Sequence, residues 1–198
     1  MDVHLEDFAI AKVDPAVLAE LCKHGILSHA EVDDNGKYKR SVAVALIRAP
    51  VDKVVHAVEQ VRQHDGGFLN DVNMIHKFKI LKDDGDKLRV RIDMRYRYFV
   101  LSFKFHIIAD VFVREGGRLD LHAVDGKVKD LAIHFRLRPA NEGKHTLFFC
   151  SMYYDVSSLG WLVDYFLKHH PEIELGVFSG SAPIITLALK ETVERMQG

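Results

Sequence analysis

Between Arg89 and Val100 the chain reads RVRIDMRYRYFV. Arg89, Arg91, Asp93, Arg95 and Arg97 take every second position, with Val90, Ile92, Met94, Tyr96 and Tyr98 between them. Successive side chains of a strand point to opposite faces, so this period of two predicts a strand with a charged side and an apolar, tyrosine-tipped side. The same texture runs from residue 74 to 155. It is broken by turn signals at Asp84-Gly85, Gly116-Gly117 and Pro139 to Gly143, and it predicts five or six consecutive antiparallel strands in a meander.

The flanks follow a helical period. Asp14 as N-cap, Pro15 at the first helical position and Gly25 as stop predict a helix near the N-terminus. Asn35-Gly36 signals a turn into a strand through Val42 to Ile47, which Pro50 closes. Val51, Val54, Val55, Val58 and Val61 keep the spacing of an amphipathic helix ended by Gly66-Gly67. After residue 155, Ser157 or Ser158 is expected to cap a helix through LGWLVDYFLKHH. Phe178, Ala182, Ile185, Leu189, Val193 and Met196 then form one stripe of a C-terminal helix, in which Pro183 is expected to kink the helix or Ser181 to start a fresh one.

Carrying the alternation through assigns one face of the sheet. Val90, Ile92, Met94, Tyr96 and Tyr98 are followed by Phe103, Phe105, Ile107, Ala109 and Val111, then by Leu119, Leu121 and Ala123. Leu131, Ile133, Phe135 and Leu137, and finally Thr146, Phe148, Cys150, Met152 and Tyr154, complete it. This face carries no carboxylate and no imidazole, whereas His106, Asp110, His134 and Arg136 fall on the other side. Proton transfer needs such groups or a tuned Lys or Tyr, so the face suits binding better than catalysis.

Composition narrows the picture. A net charge of −1 and a pI near 6.9 give no global attraction to nucleic acid or membrane. Cys22 and Cys150 read as reduced thiols, and MDVHLEDFAI lacks the order of a signal peptide, so a cytoplasmic protein is expected. No H-E-x-x-H, C-x-x-C, phosphate-loop or G-x-S-x-G pattern occurs, and neither a metal nor a cofactor is expected. The arginine stripe reads first as a solvated outer face, and second as a docking surface for anionic lipid headgroups.

The stretch SVAVALIRAPVDKVVHAVEQV, with its I-x-A-P ending at Ile47 to Pro50, and VDGKVKDLAIHFRLRPANEGKHT at residues 124–146, with Phe135 where relatives often carry Trp, resemble the START-like superfamily. This superfamily is also called SRPBCC, Bet v 1-like or helix-grip, and the local match is best to its coenzyme Q-binding and polyketide cyclase/dehydrase branch. The resemblance covers about residues 38–197. It implies an α+β fold in which a curved antiparallel sheet wraps around a long C-terminal helix, with a hydrophobic cavity between them. Residues 1–37 would form a partly helical extension and 38–198 the ligand-binding domain. The implied function is binding of a lipid, sterol, carotenoid or isoprenoid quinone as carrier, transfer protein or sensor. Of the inward residues, Val90, Ile92, Met94, Tyr96, Tyr98, Phe103, Phe105, Ile107, Leu121, Ile133, Phe135, Phe148, Cys150, Met152 and Tyr154 would line the site, together with Phe178, Ile185 and Leu189 from the last helix. The polyketide cyclase or aromatase type of enzyme is the alternative, and a module with a solidly filled core is the third reading. The hydrophobic ligand is then the main partner, with transient contact at a membrane surface and no nucleic acid. Gly66-Gly67, Gly176, Gly180 and Pro183 are the candidate hinges.

Overall fold

A computed structural model describes residues 3–32, 34, 38–63, 65–98, 101–170 and 172–197. Side chains at 96–103, 129, 156, 159, 162, 163, 166, 167 and 171–179 lie outside the described set, as does the expected turn at Asn35-Gly36. The elements are α1 (Pro15–Leu21), β1 (Ile26–Val32), β2 (Tyr38–Ile47), α2 (Val51–Gln63), β3 (Ile75–Asp83) and β4 (Leu88–Tyr98). They continue as β5 (Leu101–Arg114), β6 (Arg118–Gly126), β7 (Lys129–Ala140), β8 (His145–Asp155), α3 (Trp161–His169) and α4 (Glu172–Arg195). The eight strands form one curved antiparallel sheet in the order β1-β2-β8-β7-β6-β5-β4-β3. Strands β3 to β8 are the meander that the alternation predicts.

The inner face holds the main core. Val90, Ile92, Ile107, Ala109, Val111, Leu121, Ile133, Phe135, Phe148 and Cys150 cluster there with Val54, Ala57, Val58 and Val61 of α2 and with Ala182, Ile185, Ala188, Leu189 and Val193 of α4. The registers agree with this face throughout: Ile92 opposes Ile107, Leu121 opposes Ile133, and Phe135 opposes Cys150. Met196, expected on the α4 stripe, is exposed, and Ala188 is buried instead.

The outer face has a cover of its own. Phe8, Ala11, Leu18, Ala19 and Cys22 pack on Val42, Val44, Leu46, Leu147 and Phe149 as a second core. This explains the unbroken apolar run Val42 to Ile47: alternate residues serve opposite cores, so no polar face remains. Residues 26–32 add the edge strand to the same sheet, pairing from Ile26↔Ala45 to Val32↔Tyr38. Asp14 caps α1 through bonds from Ala16 N (2.8 Å) and Val17 N (3.3 Å), with Pro15 next, but the helix ends at Leu21, well before Gly25.

Two expectations for the C-terminal segment are corrected. Asp155, not Ser157 or Ser158, is the cap: its carboxylate accepts from Ser157 N at 3.0 Å and closes a short 3-10 turn at Val156–Leu159, and α3 starts afresh after Gly160. Ser181 starts no new helix either, because α4 runs unbroken through Pro183. Its 24 residues span about 36 Å. The Ser181 hydroxyl is used elsewhere, against Tyr154.

Candidate ligand-binding site

The middle of the inner face is filled. Phe135 meets Phe148 edge-on, with ring centroids 5.2 Å apart, and Phe68 at 5.9 Å. Thr146 Oγ1 donates to Ala49 O at 2.8 Å, so this hydroxyl ties β8 to the start of α2. Cys150 is enclosed beside Thr186, and burial pushes its thiol up to about 12.

Space remains near the end of the sheet, where β4, β5, β7 and β8 converge. Met94, Phe105, Ile107, Val128, Leu131, Met152 and Tyr154 line a void of about 10 Å³, room for one water-sized sphere. Met94 opposes Phe105 across β4–β5, and Met152 opposes Ile133 across β8–β7. Methionines are unbranched and adaptable, so two of them on one wall allow it to reshape. None of the lining residues carries a carboxylate, imidazole or amine. Tyr154 carries the one hydroxyl among them. Tyr154 OH and Ser181 Oγ share a hydrogen bond of 3.2 Å, and Ser41 Oγ, fully buried opposite Met152, has no hydrogen-bond partner among the described residues.

The structure therefore brings Met94, Phe105, Ile107, Met152 and Tyr154 of the expected site together around one space. Val90, Ile92, Leu121, Ile133, Phe135, Phe148, Cys150, Ile185 and Leu189 lie on the same face but are packed into the core away from the void. The side chains of Tyr96, Tyr98, Phe103 and Phe178 are outside the described set. Val128 was missed because it sits in the polar turn DGKVKDL. A register shift between Lys129 and Ala132, with Asp130 at φ 56°, takes this stretch out of the alternation.

The other side of the sheet is not all exposed. His106 is exposed, but Asp110, His134 and Arg136 are buried although they face outward. Asp120 Oδ1 accepts from His134 Nδ1 at 2.7 Å and from Arg136 Nη2 at 2.6 Å, and Arg136 Nε donates to Val3 O at 2.9 Å. Arg138 Nη1 reaches Ala11 O at 3.0 Å, and Arg40 binds Glu31 at 2.5 Å with its guanidinium 5.0 Å from the Phe8 ring centroid. The N-terminal segment is thus held by arginine side chains from β2 and β7. Burial alone would raise the Asp120 carboxyl, but bonds from His134 and Arg136 outweigh it and bring it down to about 2.

No protein-family model matches the sequence, and no curated protein is significantly similar to it. Solved structures do match. A protein of Thermus thermophilus superposes with a TM-score of 0.64 at 14% identity, covering 79% of this chain and 98% of its own. The Zhui aromatase/cyclase of Streptomyces sp. R1128 gives 0.59 at 12% identity, covering 87% and 96%. The fold is the START-like, Bet v 1-like helix grip. Human StAR-related lipid transfer protein 5 shares it with a TM-score of 0.56 at 12% identity, covering 88% of this chain and 85% of its own.

Proposed function

We propose that this helix-grip chain binds a hydrophobic small molecule between its sheet and α4, as a carrier or sensor. A lipid, sterol, carotenoid or isoprenoid quinone fits the chemistry of the wall. The observation that carries the reading is the composition of the void: seven lining residues, all apolar but for one tyrosine hydroxyl. Small-molecule sites typically pair an apolar lining with a few placed polar groups. Tyr154, hydrogen-bonded to Ser181, would supply one such group once the wall opens, and Ser41, which has no partner among the described residues, is a second on the same face of the sheet. Two structural neighbours, a lipid transfer protein and an aromatase/cyclase, lend support by their names.

A space of about 10 Å³ holds no lipid, so binding requires the wall to open. Gly180 and Pro183 flank Ser181 on α4, and Pro183 removes one backbone hydrogen bond from the helix there. Breaking the Tyr154–Ser181 bond would let this part of α4 lift from β8. A guest burying about 300 Å² of apolar surface gains on the order of 7 kcal/mol before ordering costs, enough to drive such a movement.

The Phe68–Phe135–Phe148 cluster favours a competing reading, a solidly filled scaffold that takes no ligand. Native mass spectrometry after gentle purification separates the two, followed by incubation of stripped protein with a mixed lipid and isoprenoid extract. The carrier reading expects a retained or acquired apolar compound at one per chain. A chain that keeps and takes up nothing overturns it.

A further inference from the structure

The register of β3, β4 and β5 gathers charge on their outer face. Lys82 opposes Arg89, Lys79 opposes Arg91 and Lys77 opposes Asp93 across β3–β4. Across β4–β5, Arg89 opposes Asp110, Asp93 opposes His106, and Arg95 opposes Lys104. Three of these pairs set like charges directly against each other, an arrangement that destabilises a sheet. Seven basic and two acidic residues give this face a charge of +5, so the rest of the chain carries −6 of the net −1. Asp110 neutralises Arg89 at 2.7 Å and Asp93 neutralises Arg91 at 2.8 Å. Lys77, Lys79, Arg95 and Lys104 have no acidic partner among the described residues, and Arg95 Nε is buried without a hydrogen-bond partner.

Protection of the sheet edge explains part of this. β3 is the outermost strand, and lysines on an edge strand discourage pairing with another sheet. It does not explain Arg95 opposite Lys104, because β4 and β5 are interior strands. The N-terminal segment, which buries the outer face of β2 and β8, leaves Lys77, Lys79, Arg91 and Lys104 exposed.

We propose that this outer face of β3–β5 docks on the anionic surface of a lipid bilayer. The charge is spread over three strands, which suits a layer of headgroups better than a single bound anion. The face offers no exposed aromatic among its described residues for base stacking, so single-stranded nucleic acid is the poorer fit. Its last basic row, Arg95 and Lys104, is adjacent in sequence to Met94 and Phe105, which line the void from the inner face. Docking there brings the opening end of the sheet to the membrane, although the proposal does not depend on what the void holds.

Co-sedimentation with vesicles tests it. The chain should bind phosphatidylcholine vesicles that contain phosphatidylserine, not phosphatidylcholine alone, and should release at about 0.5 M salt. Each basic residue near such a surface strengthens binding about fivefold, so the double variant Lys79→Glu/Lys104→Glu, which removes two such residues and adds two repelled charges, should bind at least about 25-fold more weakly. The same variant should melt at a higher temperature, because Glu then opposes Arg91 and Arg95, and this shows that it is folded. Lys53→Glu/Lys144→Glu makes the same change in net charge at exposed sites outside this face and should bind as the parent does. Equal loss in both variants, no loss in the first, no binding to the mixed vesicles, or preferential capture of RNA each overturns the proposal.

Discussion

Replacing Asp120 by Asn isolates the buried charge cluster under the N-terminal segment. The carboxylate has His134 and Arg136 within 2.7 Å and is itself almost fully buried. In D120N the Arg136 guanidinium keeps its bonds to the carbonyls of Val3, Leu119 and Phe135 but loses its counter-charge. Leaving one partner of a buried pair uncompensated costs about 3–5 kcal/mol at neutral pH. The pH dependence is the sharper test. A carboxyl lowered from 3.8 to about 2 on folding contributes stability that is present above pH 4 and is lost as pH falls through 4 toward 2. Nearly two units at about 1.36 kcal/mol each is on the order of 2 kcal/mol. Other carboxylates titrate in the same window, so the quantity to follow is the difference between wild type and D120N. Urea unfolding should be read by far-ultraviolet circular dichroism, because the one tryptophan, Trp161, is already 81% exposed in the folded chain. The difference should shrink by about 2 kcal/mol between pH 5 and pH 2. A difference that stays constant over that range would refute the account of Asp120 as an ionised, doubly bonded anchor.

Further outcomes follow from packing and backbone geometry. Phe8→Ala empties a fully buried position of the second core and should lower stability by about 3–4 kcal/mol, measured by chemical denaturation; a loss under about 1 kcal/mol would mean that residues 3–12 contribute little to the fold. Gly126 has φ +117°, and a Cβ there would meet His106 O at 2.5 Å and the Ile107 Cα at 2.9 Å, so Gly126→Ala should destabilise by at least about 2 kcal/mol in a thermal melt. Burial raises the pKa of both thiols, that of Cys150 to about 12, so neither should react with an aromatic disulfide reagent at pH 8 until denaturant is added. Rapid labelling of the folded chain at either position would contradict that burial.

The inner face was legible because its apolar positions keep the period of two from strand to strand, even in β8, whose other face serves the second core. The registers Ile92↔Ile107 and Phe135↔Cys150 fall where the alternation puts them. The outer core was not legible. In Val42 to Ile47 every residue is apolar, and nothing local says which of them face a second layer; the partner is Phe8 and α1, distant in sequence and lacking a regular period. The arginine contacts under the N-terminal segment were not legible for a related reason. Arg136 looks solvated by type, but its guanidinium is satisfied by the main-chain carbonyls of Val3 and Leu119, both remote in sequence, which no side-chain pattern records. Val128 escaped because it sits in the polar turn before β7, outside the alternation.

The two halves of the sheet are held very differently, and this bears on where the site can open. Around β2 and β8 both faces are buried, one under α4 and one under the N-terminal segment, so opening there breaks two cores at once. Around β3, β4 and β5 only the inner face is packed, and on the outer face Arg95 and Lys104 oppose each other with no acidic partner among the described residues. Local opening is easiest where buried apolar contacts are fewest. The void is lined by Met94, Phe105 and Ile107 of that half and, across from them, by Met152 and Tyr154 of β8. Hydrogen exchange should therefore be slow in β2 and β8 and faster in β4 and the start of β5, and a bound apolar compound should protect the latter strands selectively. Uniform protection across all eight strands, with or without added ligand, would mean that the sheet opens only by global unfolding, and the gate would then have to lie wholly in α3 and α4.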